Sequence, residues 1–155
     1  MSENQPVKTP HSRIDQLMAH SAISREIIVN QTAVNDEVEG EKGLLLKIRL
    51  PSYRSLPLSC IEKIGVKIDG EDVSLSAAAL RIENSWHPLA YLPTLLDVWW
   101  FILDPATLFV HKVIVSGRHE VAVEIVRVEP YITAGRFSFT NTSIASVLVE
   151  ETTNA

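Results

Sequence analysis

Cys60, His111, His119 and two pairs of carboxylates are the side chains that could break bonds in this 155-residue chain. A nucleophile needs a base within hydrogen-bond reach and a third group that orients the base. Cys60, the single cysteine, has no histidine near it in sequence and stands next to Ile61. It reads as a small packed hydrophobe. His111 and His119 flank Ser116-Gly117; a hairpin turning there would make the two imidazoles cross-strand neighbours. They form neither a His-x-His pair nor a His-Glu-x-x-His helix, so ordinary hydrogen bonding at strand edges is the expectation and no metal site is assigned. Asp97 with Asp104, and Glu120 with Glu124, are the carboxylate pairs. The second pair shares a strand face, where a solvated edge wants such residues. No catalytic residue is assigned to this chain.

Recognition chemistry is better represented. Trp86, Tyr91, Trp99 and Trp100 lie within fifteen residues of one another. Successive residues of a strand point to opposite faces, so Trp99 and Trp100 cannot both be interior. One of them should meet a second layer, a ligand or a partner; interfaces and cores both favour aromatics. The other recognition segment is Leu50-Pro51-Ser52-Tyr53-Arg54-Ser55-Leu56-Pro57. Two prolines fix φ there and limit the entropy lost on docking. Tyr and Arg are the anchor types that interfaces prefer. Pro51, Tyr53, Arg54, Leu56 and Pro57 are therefore the expected partner contacts, with Trp86, Trp99 and Trp100 for interface or ligand stacking. The competing role for Arg54 is an internal salt bridge.

These residues need a scaffold, and the patterning points to strands. Leu44, Leu46, Ile48 and Leu50 alternate with Leu45, Lys47 and Arg49, the signature of a strand wet on one face. Ile64, Val66 and Ile68 alternate with Gly65, Lys67 and Asp69, and Asp69-Gly70 predicts a type I′ hairpin turn. Ile27-Ile28-Val29 suits a strand buried on both faces. Asn35 to Glu41 reads as an acidic connection. Leu80-Arg81-Ile82 reads as a short strand, Asp104-Pro105 as a turn, and Pro93 permits at most one helical turn after it. Thr107–Val115 and Arg118–Val128 are expected to form a hairpin. In the second of these, the apolar phase slips near Glu124, which suggests a bulge or a crossing between sheets. Short strands with little helix predict an all-β, antiparallel β-sandwich. The expected organisation is a polar extension over 1–22, a β-sandwich domain over 23–130 and a tail over 131–155 that packs on the domain or a partner.

Composition narrows the function classes. Hydrophobic residues make up 46% and charged residues 21% of the chain, an ordinary globular balance. A formal net charge of −5 argues against nucleic acid, whose affinity rests on clustered Lys and Arg. No apolar run approaches the roughly 20 residues of a membrane span. The first residues lack a basic start followed by an apolar run, so a cytoplasmic home is expected.

The order of these pieces resembles the small beta subunit of the C-glycoside deglycosidases. The resemblance begins near Ile27 and is sharpest in Ile48-Arg49-Leu50-Pro51-Ser52-Tyr53-Arg54-Ser55-Leu56-Pro57-Leu58-Ser59. It continues through Ile68-Asp69-Gly70-Glu71, Asp97-Val98-Trp99-Trp100 and Asp104-Pro105-Ala106-Thr107-Leu108. It then runs from Gly117-Arg118-His119-Glu120-Val121 to Tyr131. The resemblance implies a hetero-oligomer whose larger alpha subunit, a TIM-like barrel similar to sugar isomerases, carries the acid–base residues and a divalent metal, expected to be manganese. It implies a 3-oxo-C-glycoside of a plant phenolic as substrate of the complex. The ketone acidifies the proton at sugar C2, and its removal lets the carbon–carbon bond at C1 break by elimination. The chain itself would carry no cofactor. The alternatives are a free-standing carbohydrate- or phenolic-binding β-sandwich module built on the tryptophans, and a small enzyme using His111 or His119.

Overall fold

In the computed structural model, residues 26–129 and 137–152 are described. Among the described residues eleven strands form: β1 (Ile28–Val38), β2 (Glu41–Ile48), β3 (Leu56–Pro57), β4 (Ile61–Ile68), β5 (Glu71–Asp72), β6 (Ala79–Ile82), β7 (Ser85–Pro88), β8 (Trp99–Trp100), β9 (Ala106–Val110), β10 (Gly117–Val128) and β11 (Ser138–Glu151). Two short 3-10 helices, Leu58–Cys60 and Leu89–Thr94, are the helices among the described residues. Pro93 lies inside the second, which ends one residue later at Thr94, within the single turn expected after the proline. The all-β expectation holds.

Nine strands form one sheet in the order β5-β4-β10-β11-β1-β2-β9-β6-β7, and β3 with β8 makes a separate ribbon. The pairing is antiparallel except between the first and last strands. There, Thr32 to Asn35 of β1 run parallel to Leu148 to Glu151 of β11. This short contact joins two half-sheets, one of β5, β4, β10 and β11 and the other of β1, β2, β9, β6 and β7. Inward residues of both halves, among them Leu46, Ile48, Leu80, Val123, Ile125 and Val147, belong to one buried cluster. The layering of a sandwich is thus built from one curled sheet.

Local chemistry sets the hairpins. Asp69-Gly70 has φ of 51° and 83°, the paired positive values of a type I′ turn. Glu39-Gly40 and Glu83-Asn84 adopt the same geometry. Asn35 to Glu41 is therefore not a loop: β1 runs on to Val38 and turns in two residues. β1 is itself interrupted by positive φ at Asn30 and Gln31, and its pairing with β2 jumps from Ile28 to Ala33.

Three further expectations are corrected. β9 and β10 do not form a hairpin. β9 pairs with β2 and β6, and β10 with β4 and β11, so the chain crosses over through residues 111–116. Glycine in the pair Ser116-Gly117 supplies a backbone φ of 125°, but it starts β10 rather than turning a hairpin. The phase does not slip at Glu124. Val121, Val123, Ile125 and Arg127 all point inward, and the register shift against β4 falls between Val126 and Arg127. The charge of Arg127 at an inward position is what disguised the alternation. The segment read as a tail supplies β11, which lies between β10 and β1. Its Ser, Thr and Asn content hid a strand in which half-buried residues alternate with exposed ones over most of its length. The expected extension over 1–22 lies outside the described residues.

Candidate partner interface

The proline segment leaves β2 at Ile48 and is fastened to the body of the protein from beneath. Arg49 N–H donates to the Ile27 carbonyl at 2.7 Å and Ser52 N–H to that of Leu50 at 2.9 Å. Ser52 is fully buried, and its Oγ donates to Glu129 Oε2 at 2.6 Å. Arg127 Nε donates to the Pro51 carbonyl at 2.7 Å and lies 3.2 Å from the same Glu129 oxygen. The Arg127 and Glu129 side chains are 2% and 0% exposed. Burial pushes the Arg127 pKa down, and the Glu129 charge opposes that shift. The Arg127 guanidinium also lies 5.2 Å from the Phe139 ring centre. Arg127 Nη1 and Glu129 Oε1 are buried without a hydrogen-bond partner. A buried ion pair so incompletely satisfied is weak evidence for stability. Its visible effect is to hold Pro51 and Ser52 in place.

Above this anchor, Tyr53 and Arg54 face outward. Tyr53 is 40% exposed, and the Arg54 guanidinium lies 5.7 Å from its ring centre. Of the five expected contact residues, Tyr53, Arg54 and the half-buried Pro57 reach the surface. Pro51 and Leu56 do not: Pro51 is buried and Leu56 belongs wholly to the core. They act as fasteners, since a side chain already packed inside has nothing left to offer a partner.

The segment 95–104 lies alongside. Leu56 pairs with Trp100 and Pro57 with Trp99. Leu58 N–H donates to the Val98 carbonyl, Ser59 N–H to that of Leu95, and Ile102 N–H to Ser55 Oγ at 2.8 Å. The two tryptophans divide as the strand pleat requires. Trp100 is fully buried with Nε1 donating to the Asp104 carbonyl at 3.0 Å, whereas Trp99 is 37% exposed. Phe101 and Leu103 are exposed beside it, as are Tyr91 and Leu96 just upstream. Trp99 and Phe101 line an open hollow of about 390 Å³ with Glu83, Ser85, His87 and Asp97. Trp86 is not part of this surface. It packs edge-on against Phe109 at 6.2 Å, with the Arg81 guanidinium 5.4 Å from its ring centre.

The candidate chemical groups stay apart. His111 pairs with Glu41 at 2.8 Å and stacks on Phe109. His119 contacts Asp69, and three strands separate β9 from β10. Glu124 pairs with Lys63 at 3.3 Å. Cys60 is half-buried against the core cluster. Among the described residues, no group of three or more His, Cys, Asp or Glu side chains could hold a metal ion. No described helix is long and apolar enough to cross a membrane.

Sequence reasoning missed the buried set of Ser52, Arg127 and Glu129. The signal was present, because Arg127 falls in the inward phase of Val121, Val123 and Ile125.

Comparison with known proteins bears on this surface. Residues 23–131 match the family described as C-glycoside deglycosidase beta subunit. The "3'-dehydrocarminate deglycosidase beta subunit" of Microbacterium sp is 35% identical over 107 residues, covering 68% of this chain and 78% of that protein. The "C-glycoside deglycosidase beta subunit" of Microbacterium trichothecenolyticum is 34% identical over 88 residues, covering 56% and 67%. A protein of the same description from Arthrobacter globiformis is 30% identical over 89 residues, covering 56% and 68%. The family match contains both the proline segment and residues 95–104, and it ends before β11.

Proposed function

The chain belongs to the C-glycoside deglycosidase beta subunit family, and from that premise we propose that it docks on a larger catalytic alpha subunit through Tyr53, Arg54 and Pro57 together with Trp99, Phe101 and Leu103. The observation that carries this reading is the fixing of two exposed aromatic segments side by side, one fastened by the Arg127–Glu129 pair and the other by the Ser55–Ile102 hydrogen bond. Exposed aromatic and arginine side chains on a pre-set backbone lose little entropy on binding, and such residues dominate interface energies.

In this reading the substrate is a 3-oxo-C-glycoside of a plant phenolic, and bond cleavage at sugar C1 follows loss of the C2 proton in the alpha subunit. In the same reading, the divalent metal of that chemistry belongs to the alpha subunit. The chain's own part is to bind, to orient its partner's loops and to exclude water from the joint. The complex is a carbon–carbon lyase acting in the cytoplasm.

Replacing Tyr53 and Arg54 together by Ala should weaken assembly by about 30-fold or more, as expected when a central hot spot is lost. The fold should persist, because both side chains are exposed. Gel filtration of the co-expressed subunits, with circular dichroism of the variant, makes the measurement. An unchanged complex peak would rule out this surface as the docking site. The hollow beside Trp99, with His87 and Asp97 on its rim, favours a second reading in which a phenolic glycoside binds this chain directly. Calorimetric titration of the full chain alone with such a glycoside separates the two.

A further inference from the structure

The two ends of the nine-stranded sheet are guarded. β5 is two residues long and both are acidic, Glu71 and Asp72; β7 is four residues long and closes on Pro88. Short length, charge and proline are the devices by which sheets keep foreign strands away. The bulge at Asn30 and Gln31 does the same for the start of β1.

β11 carries none of these protections. Its register with β1 begins only at Leu148, although its pairing with β10 begins at Ser138. From Ser138 to Val147, therefore, one side of β11 meets no strand among the described residues. This stretch, Ser-Phe-Thr-Asn-Thr-Ser-Ile-Ala-Ser-Val, has no charge, no proline and no glycine. Every second residue turns its backbone N–H and C=O to that open side. Ile144 is 65% exposed on the outer face. On the inner face, Asn141 Oδ1 is buried without a hydrogen-bond partner.

We propose that this open edge of β11 pairs antiparallel with the same edge of a second copy of the chain, making one continuous sheet across a two-fold axis. The choice of occupant follows from the strand's own chemistry. An edge with no charge meets itself without repulsion, and closed two-fold pairing is the commonest way identical chains associate. With the axis at Thr142, every pairing keeps inner residues with inner and outer with outer. Large Phe139 then stands across from small Ala145. Asn141 stands across from Ser143 of the second copy, whose hydroxyl can donate to the orphaned oxygen. β-Strand addition of this kind draws its affinity from main-chain hydrogen bonds. The inference does not rest on the proposed alpha-subunit contact, and the strand lies beyond the span of the family match.

Sedimentation of the full chain, with hydrogen exchange of residues 138–147, provides the test. The expected result is a dimer with slow exchange along the edge. Thr142→Lys places like charges on the axis at an exposed position and should raise the dimer dissociation constant by about 100-fold, and so should Thr142→Glu. Mixing the two variants in equal amounts should restore the dimer, which neither misfolding nor a different interface would do. A wild-type monomer overturns the proposal, whether its edge amides exchange fast or are covered by the chain's own residues. So does a dimer indifferent to Thr142→Lys, or an edge protected only when the alpha subunit is bound.

Discussion

Arg127 shows how a single side chain can be costly alone and useful in company. Its guanidinium is held in the interior by one carboxylate and one carbonyl, and one of its nitrogens has no partner. Glu129→Ala should therefore cost about 3–5 kcal/mol, because it strands a buried positive charge. Replacing the pair together, Arg127→Met with Glu129→Leu, should stay within about 2 kcal/mol of the parent, since neither desolvation penalty remains. Urea denaturation of the three chains measures both values. A double variant as damaged as the single one would mean that the ion pair itself is stabilising. His119 carries a different kind of prediction. Its two ring nitrogens lie 2.6 Å from Asp69 Oδ2 and 2.6 Å from the Val115 carbonyl, so both act as donors in the charged form. The hydrogen bond to Asp69 raises the His119 pKa above its ordinary 6.5, with help from the Val115 carbonyl. The same bond lowers Asp69 below 3.8, aided by the Glu120 amide. A raised histidine value means stability that is complete below pH 6.5 and lost as the pH climbs through the folded value. A lowered carboxylate value means stability present above pH 3.8 and lost as the pH falls through the folded value. The clamp is thus strongest between these limits. Thermal melting of His119→Ala should fall furthest below wild type near pH 5.5, and the gap should narrow as the pH climbs through the raised histidine value. A gap independent of pH would exclude the charged clamp.

Strand elements are positioned by a few contacts with no room to spare. A Cβ built on Gly43 of β2 would come within 2.3 Å of the Val110 carbonyl and 2.6 Å of the Phe109 ring. Gly43→Ala should push β9 away from β2 and cost roughly 1–3 kcal/mol, as overpacking does. Phe109 is also the floor for Trp86 and His111, so the fluorescence of Trp86 should report the displacement. A melting temperature equal to wild type would count against it. How legible each element was depended on whether its signal was local. The alternation of β2 and β4 and the Asp69-Gly70 turn could be read directly, because side-chain parity and positive φ are properties of neighbouring residues. The turns at Glu39-Gly40 and Glu83-Asn84 carry weaker residue signals for the same geometry. The supposed β9–β10 hairpin failed because a Ser-Gly pair fits a turn and a strand start equally well, and only distant partners decide between them.

For the whole molecule, the legible part was class and the hidden part was topology. Leucine, isoleucine and valine at period two announced a β protein, and the resemblance located the surface segment around Tyr53 and Arg54. Local chemistry could not reveal that Pro51 and Leu56 point inward, since proline and leucine serve cores and interfaces alike. Nor could it reveal β11, whose Ser, Thr and Asn residues look like a tail until β10 pairs with them. The tryptophans were divisible in principle but not assignable: parity said that one of Trp99 and Trp100 was inside, and only the β3–β8 ribbon fixes it as Trp100. The parallel contact of Thr32 to Asn35 with Leu148 to Glu151 has a further effect, on biosynthesis. The β1 residues leave the ribosome well before their β11 partners, so the two half-sheets cannot lock until β11 has emerged. Until then β1 exposes a hydrophobic border, and pairings of such long sequence separation close slowly. A nascent chain of this design has reason to meet a chaperone before β11 appears.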